Sequence, residues 1–207
     1  MSALPDRPHV FTPGTGGRPL LLLHGTGGDE HDLLGLGQAL SPTGALLSVR
    51  GAVLEGSLPR FFRRLAEGVF DEEDLRFRAA ELGEFVEAAS AAYGIAGANL
   101  VAVGFSNGAN IASAVLAARP DLVQGAVLFG AMPPYAEGFV GADLTDRWAI
   151  ISNGDADPIA TPAHTRLLTD HLRATGATVE LLPHRGGHQI APALLPAIAK
   201  SLEPGEG

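Results

Sequence analysis

A serine, a carboxylate and an imidazole occur in this chain at spacings that would let them act together in acyl transfer. Gly104-Phe105-Ser106-Asn107-Gly108 follows the apolar run Asn99 to Val103 and precedes a helix-like run, Ala109 to Arg119. A serine between two glycines at a strand-to-helix junction has the form of a nucleophile elbow. The requirement is steric. A side chain at 104 or 108 would strike the neighbouring strand or helix. With none there, the turn closes tightly and the Ser106 hydroxyl stands clear, over a helix N-terminus that favours developing negative charge.

A serine hydroxyl needs a base, and the base needs an orienting carboxylate. After an elbow, these partners follow in the order Asp or Glu, then His, each just past a strand. Asn153-Gly154-Asp155-Ala156-Asp157-Pro158 follows the apolar run Trp148 to Ser152, and Pro183-His184-Arg185-Gly186-Gly187-His188 follows Thr178 to Leu182. His188 comes after two glycines and is expected to begin the last helix and swing over the sheet edge towards Ser106. His184 sits closer to the sheet. Pro158 restricts Asp157 to extended backbone and can hold its carboxylate outward, whereas Asp155, beside Gly154, suits capping the turn. The expected catalytic set is Ser106, Asp157 and His188. The rival reading gathers His184, His188, Asp155 and Asp157 around a metal. The two histidines are spaced by four, but Arg185-Gly186-Gly187 is not helical, so their rings need not share a face. Neither metal nor cofactor is expected.

The transition state of acyl transfer also needs donors for its oxyanion. The Asn107 N–H is one, and the loop after an early strand should supply the other. There His24-Gly25-Thr26-Gly27-Gly28 makes the Thr26 N–H the candidate. The loop is not a dinucleotide fingerprint, because Glu30 stands where the third glycine would be required. His24 is expected to pack and hydrogen-bond beneath the loop.

These segments need a frame, and alternating apolar runs and helical stretches supply one, as in an α/β fold with a mostly parallel sheet. Strands are expected at Leu20 to Leu23, Ala45 to Val49, Asn99 to Phe105, Gly125 to Phe129, Trp148 to Ser152 and Thr178 to Leu182, each apolar on consecutive residues and so covered on both faces. Helices are expected at Asp71 to Tyr93, Pro162 to Thr175 and Gln189 to Leu202, with residues 204–207 frayed. A hairpin from Val10 to Thr12, turning through Pro13 to Gly17, is expected to supply an antiparallel edge.

Composition bounds the partners. With 207 residues, 46% of them hydrophobic, the chain can bury the core of one domain spanning 1–207. A formal charge of −9 argues against nucleic acid or an anionic membrane. Lys200 is the only lysine, which leaves a P-loop, a kinase-type lysine or a Ser-Lys dyad without an obvious candidate. No cysteine is present, so thiol chemistry is excluded. No apolar run approaches the ~20 residues of a membrane span. The polar stretch Met1 to Arg18 is neither a signal nor a transit peptide, which makes the cytoplasm the default expectation.

Leu23-His24-Gly25-Thr26-Gly27-Gly28-Asp29, Gly104 to Ala109, Gly154 to Pro158 and Gly187-His188-Gln189-Ile190 together resemble the phospholipase/carboxylesterase family of small α/β-hydrolases, relatives of the acyl-protein thioesterases. The resemblance spans nearly the whole chain. It implies an α/β-hydrolase fold with helices on both faces of the sheet, and ester or thioester hydrolysis by Ser106, Asp157 and His188 with Thr26 and Asn107 as oxyanion donors. Asn107 departs from the glutamine usual in acyl-protein thioesterases, and Phe61-Phe62-Arg63-Arg64-Leu65 resembles a bacterial subgroup. A small-ester substrate is therefore favoured over protein deacylation.

Gly130 to Asp146 is too short for a cap domain. Phe61, Phe62 and Leu65 are expected to floor a shallow substrate-binding pocket beside Arg63 and Arg64, whose charge would hold an anionic substrate group, with ordinary surface packing as the alternative. The expectation is a carboxylesterase acting on short acyl chains, with no nucleic acid and no stable membrane association. A homodimer is left open. Lysophospholipase or thioesterase activity is the enzymatic alternative, and a catalytically silent small-molecule binder the non-enzymatic one.

Overall fold

The structure, a computed structural model, describes residues 4, 6–95 and 99–203. In chain order the elements begin with β1 (His9–Thr12), β2 (Leu20–Leu23), α1 (Leu34–Leu40) and β3 (Leu46–Val49). Two small hairpins follow, β4 (Val53–Glu55) with β5 (Leu58–Arg60), and β6 (Arg64–Ala66) with β7 (Val69–Phe70). Then come α2 (Glu72–Tyr93), β8 (Leu100–Phe105), α3 (Asn107–Ala118), β9 (Val123–Phe129) and β10 (Trp148–Ser152). The last three are α4 (Pro162–Ala174), β11 (Thr178–Leu181) and α5 (Leu195–Leu202).

Among the described residues, seven strands form one sheet in the order β1-β3-β2-β8-β9-β10-β11, parallel except for β1. From β2 the chain steps outward to β3, then returns past β2 to β8 and builds towards the other edge. That reversal opens a crevice at the carboxyl ends of β2 and β8, where ligands bind in open α/β sheets.

The four leucines of β2 are wholly buried, and their side chains alternate between the two faces. Leu21 and Leu23 pack with α2 and α3 residues such as Leu82, Val86 and Val115. Leu20 and Leu22 join Leu40 of α1 and Ile198 and Leu202 of α5. A mostly parallel sheet with helices on both faces agrees with the expected α/β-hydrolase fold. Between β9 and β10, residues 130–147 contain no helix or strand, so no large cap covers the crevice there. Among the described residues, no helix is long and apolar enough to cross a membrane.

The long helix α2 starts where its sequence says it should. The Asp71 carboxylate accepts from the Asp74 N–H at 3.1 Å, and Glu72, Glu73 and Asp74 place negative charge in the first turn. Gly94 ends it in the left-handed region, at φ 67°.

Four features depart from the expectations. β1 is an antiparallel edge strand, but it pairs with β3 (His9 opposite Val49), so Pro13 to Gly17 does not close a hairpin onto β2. Helix α1 and the two hairpins were not expected. The last helix begins at Leu195 rather than Gln189, after a 3₁₀ turn at Pro192–Leu194. Pro192 disfavours helical backbone at Ala191 and lacks the N–H a helix interior needs, whereas Pro196 falls in the first turn of α5, where that donor is dispensable. His188 therefore stands on a loop. The fraying expected of 204–207 concerns residues outside the described range.

The fourth departure bears on the substrate pocket. Phe61 and Phe62 do not floor it: both are wholly buried in the core on the α2 face, where Phe62 meets Phe70 edge-on at 5.2 Å. Two adjacent aromatic rings gain more from burial than from a wet cleft. Leu65 is exposed on its hairpin, and Arg63 turns to Asp71 and Asp74, with its Nη2 2.9 Å and 3.8 Å from their carboxylates. Phe62→Ala is expected to lower stability by about 3–5 kcal/mol, read as a fall in the urea midpoint. A Phe62 in contact with substrate would instead raise KM at nearly unchanged stability.

Candidate active site

The elbow forms where β8 ends and α3 begins. Ser106 adopts φ 53° and ψ −117°, a region L-residues seldom enter. Its N–H donates to the Phe129 carbonyl at 2.8 Å, and its carbonyl accepts the Asn110 N–H at 3.0 Å. A Cβ on Gly104 would overlap the Gly108 carbonyl, and one on Gly108 would overlap the Leu23 carbonyl. The two glycines thus allow α3 to seat against the ends of β2 and β8.

From this turn the Ser106 hydroxyl lies 2.9 Å from His188 Nε2, and His188 Nδ1 lies 2.7 Å from Asp157 Oδ2. The other Asp157 oxygen accepts the N–H groups of Ile159 (2.8 Å) and Ala160 (2.9 Å), so the buried carboxylate is held on both sides. The His188 ring leans on Phe105, 5.1 Å between centroids. Asp155 is exposed; its N–H donates to the His184 carbonyl at 2.8 Å. His184 Nδ1 accepts the Gly186 N–H at 3.1 Å, so the two histidine rings are turned to different partners. Among the described residues, no group of three His, Asp or Glu side chains is placed to hold a metal.

The loop after β2 carries Thr26 to the edge of the same crevice, opposite the N-terminus of α3. Beneath it, His24 is almost fully buried. Its Nδ1 donates to the Gly25 carbonyl (2.6 Å), and its Nε2 accepts the Gly51 N–H (3.0 Å). Burial pushes this imidazole below its ordinary pKa, and the pattern suits a neutral ring.

Three consecutive residues around the end of β5 brace both proposed oxyanion donors. The Pro59 carbonyl accepts the Gly27 N–H at 2.9 Å, Arg60 Nη1 donates to Thr26 Oγ1 at 2.7 Å, and the Phe61 N–H donates to Asn107 Oδ1 at 2.7 Å. This gives Asn107 a structural task that the comparison with glutamine could not reveal.

Ser106, Asn107, Thr26 and His188 share a cleft of about 270 Å³, whose walls include Arg60, Arg64, Phe70, Met132 and Ile159. A larger hollow of about 380 Å³ lies at the opposite ends of the strands, beside Pro13 and Asn99. It contains none of these groups. The sequence reading missed Arg60, Asn110 and Asn153. The amide oxygens of Asn110 and Asn153 accept the N–H groups of Met132 (2.8 Å) and Ala131 (2.9 Å), fixing the loop after β9 that forms the far wall. The glycine between short runs at Glu55-Gly56-Ser57 and Glu67-Gly68 is a hairpin signal that could have located Arg60 on a strand. Nothing in the sequence marked the two asparagines.

Fold and homologues together define an enzyme of the carboxylic ester hydrolase type. No family model matches the chain. "Putative hydrolase MhqD" of Bacillus subtilis (strain 168) is 44% identical over 182 residues, 88% of this chain and 90% of that protein. A Bacillus cereus carboxylesterase structure is 42% identical, covering 96% of this chain and 94% of its own, with a TM-score of 0.91. YahD, solved with malic acid, is 28% identical, covering 95% and 98%, with a TM-score of 0.87. The chain belongs to the phospholipase/carboxylesterase family of small α/β-hydrolases.

Gly108→Ala tests the seating of α3. Forcing a methyl group against the Leu23 carbonyl is expected to cost about 3 kcal/mol or more, seen as a lowered Tm. A variant of unchanged Tm would mean that α3 does not approach β2 so closely.

Proposed function

We propose that the protein is a serine carboxylesterase that works through an acyl-enzyme on Ser106. The observation that carries this reading is the continuous chain Ser106 Oγ, His188, Asp157, with links of 2.9 and 2.7 Å, inside a cleft. His188 Nε2 takes the hydroxyl proton as Ser106 Oγ bonds to the ester carbonyl carbon. The oxyanion is held by the Asn107 and Thr26 N–H groups. Collapse breaks the bond to the alcohol oxygen, which leaves with the proton from His188. A water molecule then repeats the sequence on the acyl-enzyme, and the carboxylic acid departs. Asp157 holds the imidazole in orientation and stabilises its charged form.

A short acyl chain fits this site best. The cleft, about 270 Å³, falls just below the ~300–1,000 Å³ of sites for drug-sized ligands, and Phe61 and Phe62 are committed to the core behind it. YahD, solved with malic acid, supports a substrate of this size.

Ser106→Ala is expected to lower ester hydrolysis on the order of 10⁴-fold and to abolish labelling by a fluorophosphonate. Asp157→Asn should be far more damaging than Asp155→Asn. A folded Ser106→Ala protein retaining a tenth of wild-type turnover would refute the acyl-enzyme, and equal losses at 155 and 157 would refute the assignment of the acid.

Acyl-chain dependence is the second check. Each buried CH₂ adds about 0.8 kcal/mol only while the cleft still has room. The kcat/KM on p-nitrophenyl esters is therefore expected to peak at or below about six acyl carbons. A steady rise to palmitoyl esters would instead indicate a lysophospholipase or thioesterase with a long channel.

A further inference from the structure

Arg60 is an unusual neighbour for an ester-hydrolysing serine. Its side chain is 4% exposed, yet it forms part of the wall of the Ser106 cleft. Of its guanidinium nitrogens, Nε donates to the Phe62 carbonyl at 3.2 Å and Nη1 to Thr26 Oγ1 at 2.7 Å. Among the described residues Nη2 has no acceptor, although the side chain borders the cleft.

The charge on Arg60 is also incompletely answered. Among the described residues Glu55 is its one carboxylate neighbour, with Oε2 3.3 Å from Nη1. Glu55 is shared with Arg64, whose Nε (3.0 Å) and Nη2 (2.8 Å) both donate to Oε1, while Oε2 accepts no hydrogen bond. Burial and the nearby Arg64 cation press the Arg60 guanidinium below its ordinary pKa, and Glu55 offsets this only in part. Glu67 also borders the cleft, but it is exposed at the rim, where water and salt screen it. A buried cation with spare donors is costly unless an anion completes it.

Reaction geometry says which part of a substrate would do so. The leaving oxygen must face His188 to receive its proton, and the carbonyl oxygen must face the Thr26 and Asn107 N–H groups. The acyl substituent is then directed away from His188 into the rest of the cleft, whose walls include Arg60 and Arg64. We infer that Arg60, supported by Arg64, forms a carboxylate subsite on the acyl side of the cleft, so that the enzyme's substrates are half-esters of small dicarboxylic acids. The carboxylate takes the free Nη2 donors, and the planar guanidinium gives it a fixed direction. This inference rests on the acyl-enzyme reading and adds the class of acyl group.

Ethyl butyrate and monoethyl succinate differ only in whether a methyl or a carboxylate ends the acyl chain, so their kcat/KM ratio reads the subsite directly. Wild-type enzyme is expected to favour monoethyl succinate by at least about 10-fold, the scale of a charge-assisted hydrogen bond. Arg60→Met should lower the rate on the half-ester about 30-fold or more. On ethyl butyrate the loss should be about three-fold, from disturbance of the Thr26 contact. Arg60→Lys should restore part of the preference. Arg64→Gln, on the rim, should reduce it about three-fold, mainly through KM, and provides the test if Arg60→Met does not fold. No preference in the wild type, or equal losses on both esters in a folded Arg60→Met protein, would overturn the subsite; equal losses would show that Arg60 only braces Thr26. Ser106→Ala separates the two failures. If it keeps activity on both esters, the acyl-enzyme reading is wrong. If it abolishes both while the wild type shows no preference, only the subsite is wrong.

Discussion

The close approach of α3 to the end of β2 is the constraint on which the rest of the site depends. It exists because residue 108 has no side chain to collide with the Leu23 carbonyl. Once the helix sits there, the chain must turn sharply out of β8, and Ser106 is held in a backbone conformation that costs about 1–3 kcal/mol. That strain is tolerated because it is surrounded. The Ser106 N–H is satisfied by Phe129, and α3 buries every residue from Asn107 to Leu116. The same approach sets the loop after β2 beside the N-terminus of α3. A single packing contact thus brings the hydroxyl and the proposed oxyanion donors to one place.

The other half of the site is fixed by hydrogen bonds from rigid loops. Asp157 is restrained by two backbone N–H groups, and Asn153 ties the end of β10 to Ala131 and to Thr165 of α4. These buried groups are engaged at both ends, the condition under which a polar network rigidifies rather than destabilises. The imidazole of His188 therefore meets Ser106 from a loop, without needing the helix that the sequence suggested.

The sequence made the sheet legible because its strands are continuous apolar runs, a pattern left only when both faces are covered. The six expected parallel strands are present, two with the expected boundaries and four shifted by a residue or two at one end, and Ser106, Asp157 and His188 could be singled out from chain order and neighbouring glycine and proline. What was hidden depends on distant partners. The pairing of β1 with β3 joins residues about forty apart in the chain, and no local signal distinguishes it from a hairpin onto β2. Strands of two or three residues in β4 to β7 are too short for alternation to show. The string Phe61-Phe62-Arg63-Arg64 reads equally well as a pocket wall or a core insertion, and only the position of α2 decides that the rings turn inward.

The two hairpins have unequal ends. At the base of the first, Pro59, Arg60 and Phe61 are fastened to the loop after β2 and to Asn107, while Leu54 and Leu58 towards its tip are exposed, as are Leu65 and Val69 on the second. The anchored base borders the Ser106 cleft through Arg60, whereas Leu54, Leu58, Leu65 and Val69 do not line it. Changes at the tips leave the hydrogen bonds that brace the proposed oxyanion donors untouched. The tips can therefore be varied apart from the anchored base, and they are where a protein engineer would randomise first.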